Sequence, residues 1–208
     1  MSDSPFNLDH IVFEYLKHIE SGFYIEAGAN NGIWQSNTLM LQNIGWRGIL
    51  IEPNVHMFQS CISNRPFNYY FNCALVDKQY DKESIEGFFN KTDYENSLCG
   101  QISHDLNEHC CENRWVNETP VSVKAMTLEN ILKTLNLNKE IDFLSLDVEG
   151  YEINVLNGLD LNKNRPNFVL LESSSNEKRR KELFDYMIKF DYNFIGQITI
   201  NDQLYKKK

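Results

Sequence analysis

The chain has 208 residues, of which 42% are hydrophobic and 24% charged, and its formal net charge at pH 7 is −9. This composition is typical of a globular protein, and the length suits one domain, so we expect a single domain over residues 1–208. The negative charge disfavours nucleic acid as the main partner, because a phosphate backbone would be repelled. The two basic clusters, residues 178–181 and 206–208, are interpreted as a solvated helix start and a frayed terminus.

The apolar stretches of the chain are strand-sized and too short to span a bilayer. The first ten residues lack the basic stretch and apolar run of a secretory signal. The five cysteines are an odd number, which favours reduced thiols inside a cell. We therefore expect a cytoplasmic protein. Zinc binding by Cys110, Cys111, His104 and His109 is disfavoured, because no second pair of ligands with suitable spacing occurs elsewhere.

The first part of the chain alternates short apolar strands with helices. We expect strands at 23–25, 48–51 and 68–76, and helices at about 34–43 and 55–63. Near-continuous apolar runs that are closed by polar residues are typical of strands buried on both faces of a parallel sheet.

Residues 78–117 interrupt this alternation. The segment is polar, rich in Asn, Glu and His, and has no sustained hydrophobic period. Long irregular segments inside a compact domain are commonly lids or binding loops. We interpret it as an irregular lid or acceptor-binding insertion.

Regular patterning then returns. The expected elements are a strand at 120–125, a helix with Thr127 as its N-cap, a strand at 141–146, a helix at 153–159, a strand at 168–171, a helix at 177–190, and a closing antiparallel pair at 193–195 and 197–204. Strands and helices in alternation imply right-handed crossovers. The fold class expected is α/β, with a mostly parallel seven-stranded sheet and helices on both faces.

Acidic residues follow four of the predicted strands: Glu26, Glu52, Asp147 and Glu172. In an open α/β sheet, ligands bind beyond the carboxyl ends of the strands. Carboxylates that converge there would repel one another and lose hydration unless a ligand or cation used them. The pattern therefore predicts a ligand site at this edge of the sheet.

The loop after the first strand indicates which ligand this is. Gly28 and Gly32 allow a tight turn, and Glu52 follows the next strand, where a carboxylate can accept hydrogen bonds from ribose hydroxyls. The dinucleotide fingerprint is interrupted, since Asn30 and Ile33 occupy its second and third glycine positions. Glu26 would attract an amine and repel a pyrophosphate. The loop favours S-adenosylmethionine over NAD, which leaves an NAD-dependent oxidoreductase as a weaker alternative.

Three segments resemble the motifs of FkbM-type methyltransferases: residues 22–32, 46–54 and 141–152. The resemblance extends over about residues 22–172. It implies a Rossmann-like class I methyltransferase fold that uses S-adenosylmethionine. It also implies O-methylation, often of sugars or of natural-product hydroxyls.

The resemblance further implies site residues. The cofactor-binding set is Glu26, Gly28, Ala29, Asn30, Gly32, Glu52, Pro53, Ala74, Leu75, Ser97 and Asp147. Within this set, the loop after the first strand would hold the methionine part, Glu52 the ribose, and Ala74 and Leu75 the adenine. Asp147 would lie near the sulfonium, and Ser97 belongs to a loosely matching segment at 96–98.

Methyl transfer to a hydroxyl requires an aligned acceptor and a base, or a metal that acidifies the hydroxyl. We expect Asp147 to be the base or a ligand of a Mg²⁺-like ion, with Glu149 and Glu172 orienting the acceptor or completing the metal site. His104 is an alternative base. A plainer interpretation places Glu149 and Glu152 at a helix N-terminus, where negative charge is stabilising.

The acceptor is expected to be a sugar or a glycan-like small molecule. The acidic surroundings are also rich in aromatic residues that suit sugar stacking, namely Tyr69, Tyr70, Phe88, Phe89, Tyr94 and Trp115. A non-catalytic module that binds S-adenosylmethionine or a glycan remains the other alternative.

Overall fold

The computed structural model describes residues 7–89, 101–102, 120–137, 139–173 and 176–208. These residues form the helices α1 (Leu8–Leu16), α2 (Leu39–Asn43), α3 (Val55–Asn64), α4 (Leu128–Leu135), α5 (Glu152–Asn157) and α6 (Glu177–Lys189). They also form the strands β1 (Phe23–Ala27), β2 (Arg47–Ile51), β3 (Tyr69–Phe71), β4 (Ala74–Leu75), β5 (Ser84–Phe88), β6 (Gln101–Ile102), β7 (Val121–Met126), β8 (Phe143–Leu146), β9 (Phe168–Glu172), β10 (Tyr192–Gln197) and β11 (Asp202–Lys207).

Seven strands form the main sheet, in the order β10-β11-β9-β8-β1-β2-β3. The five strands from β9 to β3 run parallel to one another. β11 pairs antiparallel with both β9 and β10. The expected fold class is confirmed: this is a mostly parallel, seven-stranded sheet closed by an antiparallel pair, as in Rossmann-like methyltransferases.

Helices cover both faces of this sheet, and alternate residues of β1 show why. Phe23, Ile25 and Ala27 belong to the hydrophobic cluster that packs against α4, α5 and α6. Tyr24 belongs to the cluster on the other face, which contains residues of α1, α2 and α3. Because successive side chains of a strand point to opposite faces, β1 is buried along its whole length.

A second, four-stranded sheet has the order β4-β7-β5-β6. The expected strand at 68–76 was wrong as a single element: its first part is β3 of the main sheet, and its last part is β4 of the second sheet. Asn72 explains the division, because its side-chain amide donates to the carbonyl oxygens of Glu52 and Pro53 at 2.8 and 2.9 Å. These bonds turn the chain away from the edge of the main sheet.

Two further expectations need correction. The segment at 78–117 is not wholly irregular, since β5 pairs with β7 and buries alternate residues there; residues 90–100 and 103–119 lie outside the described part. The helix expected at 34–43 begins only at Leu39. Gln35 has a φ of 58°, outside the helical region, and the side chain of Asn31 accepts hydrogen bonds from the backbone of Ile33 and Trp34.

The terminus at 206–208 is not frayed, contrary to expectation. Lys206 and Lys207 belong to β11, and Lys206 lies opposite Phe168 of β9. The N-cap assignment of Thr127 is confirmed, because its hydroxyl accepts a hydrogen bond from the backbone of Asn130 at 3.1 Å. Among the described residues, every helix is too short or too polar to span a bilayer.

Candidate active site

A cleft opens at the carboxyl ends of β1, β2 and β8, beside β4 of the second sheet. Its described lining residues are Ala27, Gly28, Asn30, Gln35, Ile51, Glu52, Pro53, Asn54, Met57, Cys73, Ala74, Leu75, Phe89, Asp147, Val148, Glu149 and Tyr151. This is the position at which open α/β sheets bind their ligands.

The structure brings together many of the predicted site residues. Those that line the cleft are Gly28, Asn30, Glu52, Pro53, Ala74, Leu75, Asp147 and Glu149. Glu26, Ala29, Gly32 and Glu172 are not among its lining residues. Ser97 and His104 lie outside the described residues.

The loop after β1 approaches β8 so closely that only glycine fits at its first position. A Cβ atom on Gly28 would lie 1.9 Å from the carbonyl oxygen of Asp147, and the φ of Gly28 is +84°. The backbone N–H groups of Gly28 and Ala29 donate to the carbonyl oxygen of Ile51 at 3.0 and 3.1 Å. The loop is therefore tied to both neighbouring strands, and its backbone is held against the cleft.

Glu52 joins the loops that follow β1 and β2. Its carboxylate accepts hydrogen bonds from the backbone N–H groups of Asn30 and Asn54, each at 2.8 Å. Each carboxylate oxygen keeps further acceptor capacity. Burial raises the pKa of Glu52 to about 7, although the two backbone hydrogen bonds oppose this rise.

Glu26 lies beneath the loop rather than in the cleft. It is the fourth residue of β1, so its side chain points to the face opposite that of Ala27. Its carboxylate accepts hydrogen bonds from the Thr38 hydroxyl and the Asn37 backbone, both at 2.6 Å, and Arg65 lies 3.5 Å away. The structure thus gives Glu26 a role in building the loop, and we find no lining position for it.

Ala29 and Gly32 also support the loop from behind. Ala29 is buried in the cluster that contains residues of α1, α2 and α3. A Cβ atom on Gly32 would lie 2.5 Å from the side chain of Arg65. Both residues thus shape the backbone that faces the cleft, and their contact with the cofactor stays a prediction.

Asp147 and Glu172 form a hydrogen-bonded pair of carboxyl groups at the ends of β8 and β9. The negative charge of Asp147, together with burial, raises the pKa of Glu172 far above its ordinary range. Burial raises the pKa of Asp147 as well. Because two adjacent buried carboxylates repel each other, the pair shares one proton at neutral pH.

The metal site that the sequence suggests at Asp147, Glu149 and Glu172 stays a prediction. Within the described part of the chain, no group of three or more His, Cys, Asp and Glu side chains is arranged to hold a metal ion. The hydrogen bond between Asp147 and Glu172 brings two of the three predicted ligands together.

The loop after β8 carries Glu149 into the cleft in a left-handed conformation, with a φ of 53°, followed by Gly150 with a φ of 95°. Glu152 accepts a hydrogen bond from the backbone of Gly150 at 3.0 Å and forms a 2.5 Å ion pair with Arg179 of α6. Arg179 also donates to the carbonyl oxygen of Gly150. Glu152 thus lies in the first turn of α5, as the plainer interpretation of its charge expected, while Glu149 faces the cleft.

Residues 26–195 match the family model described as the methyltransferase FkbM domain. The chain belongs to the FkbM methyltransferase family. This family assignment implies a methyltransferase that uses S-adenosylmethionine.

Two solved structures are similar to this FkbM domain, and the first supports its fold. A candidate RNA methyltransferase from Pyrococcus horikoshii is similar with a TM-score of 0.52 and 9% identity, over 96% of this chain and 79% of that one. The methyltransferase domain of bacterial CtHen1-C is similar with a TM-score of 0.46 and 12% identity, over 97% and 99% of the two chains. No curated protein sequence matches the chain. At such identities, the likeness concerns the fold alone.

The cleft of this FkbM domain fits S-adenosylmethionine by its own chemistry. Glu52, Asp147 and Glu149 are its acidic lining residues, and its described lining contains no Lys, Arg or His. Such a lining favours a ligand with a sulfonium and an ammonium over one with a pyrophosphate.

Sequence reasoning named Phe89 as an aromatic residue suited to acceptor stacking but missed several other lining residues of this FkbM domain: Gln35, Asn54, Met57, Cys73, Val148 and Tyr151. Asn54 carried a signal, since an Asn directly before an amphipathic segment predicts an N-cap, and it does cap α3. Cys73 carried no such signal, because the turn at Asn72 brings it to the cleft.

Proposed function

We propose that the chain is an S-adenosylmethionine-dependent O-methyltransferase that methylates a hydroxyl of a sugar or glycan-like small acceptor. The observation that carries the proposal is the cleft lined by Glu52, Asp147 and Glu149 without a described cationic residue. Glu52 would accept hydrogen bonds from the ribose hydroxyls. Asn30 and the backbone at Gly28 would hold the methionine part, and Pro53, Ala74 and Leu75 would contact the nucleoside.

The cofactor supplies an electrophilic methyl group. The acceptor hydroxyl must lose a proton as its oxygen is methylated, and Asp147 is the residue that would accept this proton. Burial raises its pKa toward neutrality, which suits a base that works near pH 7. Glu172 keeps its own proton and orients the Asp147 carboxylate, while Glu149 would accept a hydrogen bond from a second acceptor hydroxyl.

A sugar acceptor is supported by the aromatic residues at the cleft. Phe89 and Tyr151 line it, and apolar ring faces beside carboxylates suit the stacking and hydroxyl recognition of a sugar. Tyr69 and Tyr70 lie on β3 at the edge of the main sheet, outside the lining, and Tyr94 and Trp115 lie outside the described residues. Because Phe89 directly follows β5, we propose that the segment at 78–117 contributes to acceptor binding within one domain.

The first test is calorimetric titration of the purified chain with S-adenosylhomocysteine and, separately, with NAD. We expect binding of S-adenosylhomocysteine alone, and its loss in Glu52→Ala. The control variant is Glu140→Ala, which removes an acid that precedes β8 and lies beside Lys207, away from the cleft. It should bind S-adenosylhomocysteine like the wild type. Binding of NAD alone would overturn the proposal in favour of an oxidoreductase.

The second test measures S-adenosylhomocysteine release with a pool of sugar acceptors, with and without Mg²⁺, and with RNA as a comparison acceptor. We expect release with sugars only, because the chain's net charge of −9 disfavours RNA. Binding without release for any acceptor would favour a non-catalytic module. Release that stops when Mg²⁺ is chelated would overturn the proton-sharing role assigned to Asp147 and Glu172.

A further inference from the structure

Arg65 is a fully buried arginine that directly follows α3, with an exposed fraction of 0%. A buried guanidinium needs partners for its donors, and those of Arg65 are satisfied. Nε donates to the side-chain oxygen of Gln42 at 2.6 Å. Nη2 donates to the hydroxyl groups of Tyr24 and Thr38, both at 2.9 Å.

The remaining donor group of Arg65 holds the loop that follows β1. Nη1 donates to the carbonyl oxygen of Gly32 at 2.9 Å and to the hydroxyl of Ser36 at 2.8 Å. The same nitrogen lies 3.5 Å from a carboxylate oxygen of Glu26, which accepts a hydrogen bond from Thr38. One side chain thus fixes both ends of the segment 26–38, although it lines no part of the cleft itself.

This loop has a conformation that its own sequence does not favour. Asn30 and Gln35 have φ values of 49° and 58°, in the left-handed region, which asparagine tolerates better than most residues and glutamine seldom adopts. Both residues line the cleft. Strained residues of this kind persist when the surrounding structure over-determines them. Arg65 supplies that constraint from beneath, and Glu52 supplies it from the side of the cleft.

We propose that Arg65 is a positioning residue for cofactor binding. It holds the loop at 28–38 in the conformation that presents Gly28, Asn30 and Gln35 to the cleft before the cofactor arrives. The ordering of the loop then takes place on folding and does not weaken binding. This inference rests on the proposed function, because it assigns the loop to S-adenosylmethionine.

The test uses the full chain, S-adenosylhomocysteine as the probe, and three variants measured at a temperature at which each is folded. Arg65→Lys keeps the charge but removes the planar set of donors. Thr38→Val keeps the approximate shape of a buried residue and removes one bond to Arg65 and one to Glu26. The control is Tyr192→Phe, which removes a buried hydrogen bond to Pro166 at the opposite edge of the sheet.

We expect the affinity for S-adenosylhomocysteine to fall about ten- to a hundredfold in Arg65→Lys and about three- to tenfold in Thr38→Val, because binding must then order the loop. Tyr192→Phe should bind like the wild type. Hydrogen exchange of the ligand-free protein should become faster at residues 28–38 in the first two variants, with β8 and β9 unchanged. If Arg65→Lys does not fold, the affinity of Thr38→Val for S-adenosylhomocysteine tests the proposal by itself.

Unchanged affinity in the folded variants, with the wild type binding normally, would overturn the positioning role and leave the proposed function intact. Equal losses of affinity in Tyr192→Phe would assign the effect to general destabilisation and would also overturn it. A wild type that binds no S-adenosylhomocysteine would overturn the proposed function and this inference together.

Discussion

The two main loops of the cleft are built by similar means, but the loop after β1 presents uncharged residues to the cleft and the loop after β8 presents acidic ones. Each loop is held from beneath by an arginine paired with a buried glutamate: Arg65 with Glu26 under the loop after β1, and Arg179 with Glu152 under the loop after β8. In the first loop, Glu26, the acid at the end of β1, is itself a member of this ion pair. In the second loop, Arg179 pairs with Glu152, which lies further along the chain than Asp147, the acid at the end of β8.

Asp147 consequently has no cationic partner among the described residues, and its neighbour is the carboxyl group of Glu172. The comparison teaches that an acid at a strand end is available for chemistry only when no buried cation neutralises it. Glu26 and Asp147 look alike in sequence, since both follow an apolar strand and precede a glycine-containing turn. They differ in what lies beside their side chains, which is Arg65 for Glu26 and the carboxyl group of Glu172 for Asp147.

The largest effect is expected from replacing Asp147, the acid that no described cation neutralises. With an acceptor that reacts, Asp147→Asn should lower the rate of S-adenosylhomocysteine release about 10²- to 10⁴-fold, the usual contribution of a general base. Asp185→Asn, which removes an exposed carboxylate on α6 paired with Lys181, is the matched control and should keep full activity. Wild-type turnover in Asp147→Asn would show that another group takes the proton.

The next effect concerns the pair beneath the second loop. Arg179→Met should lower the free energy of unfolding by about 3–5 kcal/mol, because it leaves the buried Glu152 without its partner. Urea denaturation measures this change. Adding Glu152→Gln to Arg179→Met should restore much of the stability, since the unpaired charge is then removed.

Lys178→Met is the control within the same basic run. Its ion pair with Glu182 is solvent-exposed, so the variant should be nearly as stable as the wild type. If Lys178→Met and Arg179→Met were equally destabilised, the buried pair would not be what fixes the turn at Gly150.

The smallest effect is the pH dependence at Glu52, the residue that joins the two cofactor-side loops. Burial raises its pKa to about 7, and ribose binding needs the carboxylate. The affinity for S-adenosylhomocysteine should therefore rise about tenfold from pH 6 to pH 8. Glu52→Gln should bind weakly at both pH values and show no such rise, as measured by calorimetry.

The contribution of Glu52 to the stability of the ligand-free protein should fall as the pH rises, whereas the affinity for S-adenosylhomocysteine should rise. Because the folded state raises the pKa of Glu52, this group favours folding below its ordinary pKa of 4.5, and that contribution is lost as the pH rises through about 7. Thermal unfolding of wild type and Glu52→Gln, compared at pH 5 and pH 8, isolates this contribution. A wild type that gained stability relative to Glu52→Gln between these pH values would contradict the raised pKa.

Much of the fold could be predicted because its signals are local. The strands 141–146 and 168–171 were found, within a few residues, from their apolar runs, and Thr127 from its position before a helix. The division at Asn72 and strand β5 could not be found in this way. Both depend on pairing with β7, which lies far along the chain.

For the candidate site, the sequence by itself determined the order of the motifs, the family and the acids that follow the strands. These are properties of short segments and of their spacing. Only the tertiary structure decided which acids face the cleft. Arg65 and Glu26 are 39 residues apart, and Arg179 and Glu152 are 27 apart. No local pattern distinguishes a glutamate that will meet a buried arginine from one that will not, because the distinction arises only when distant segments pack together.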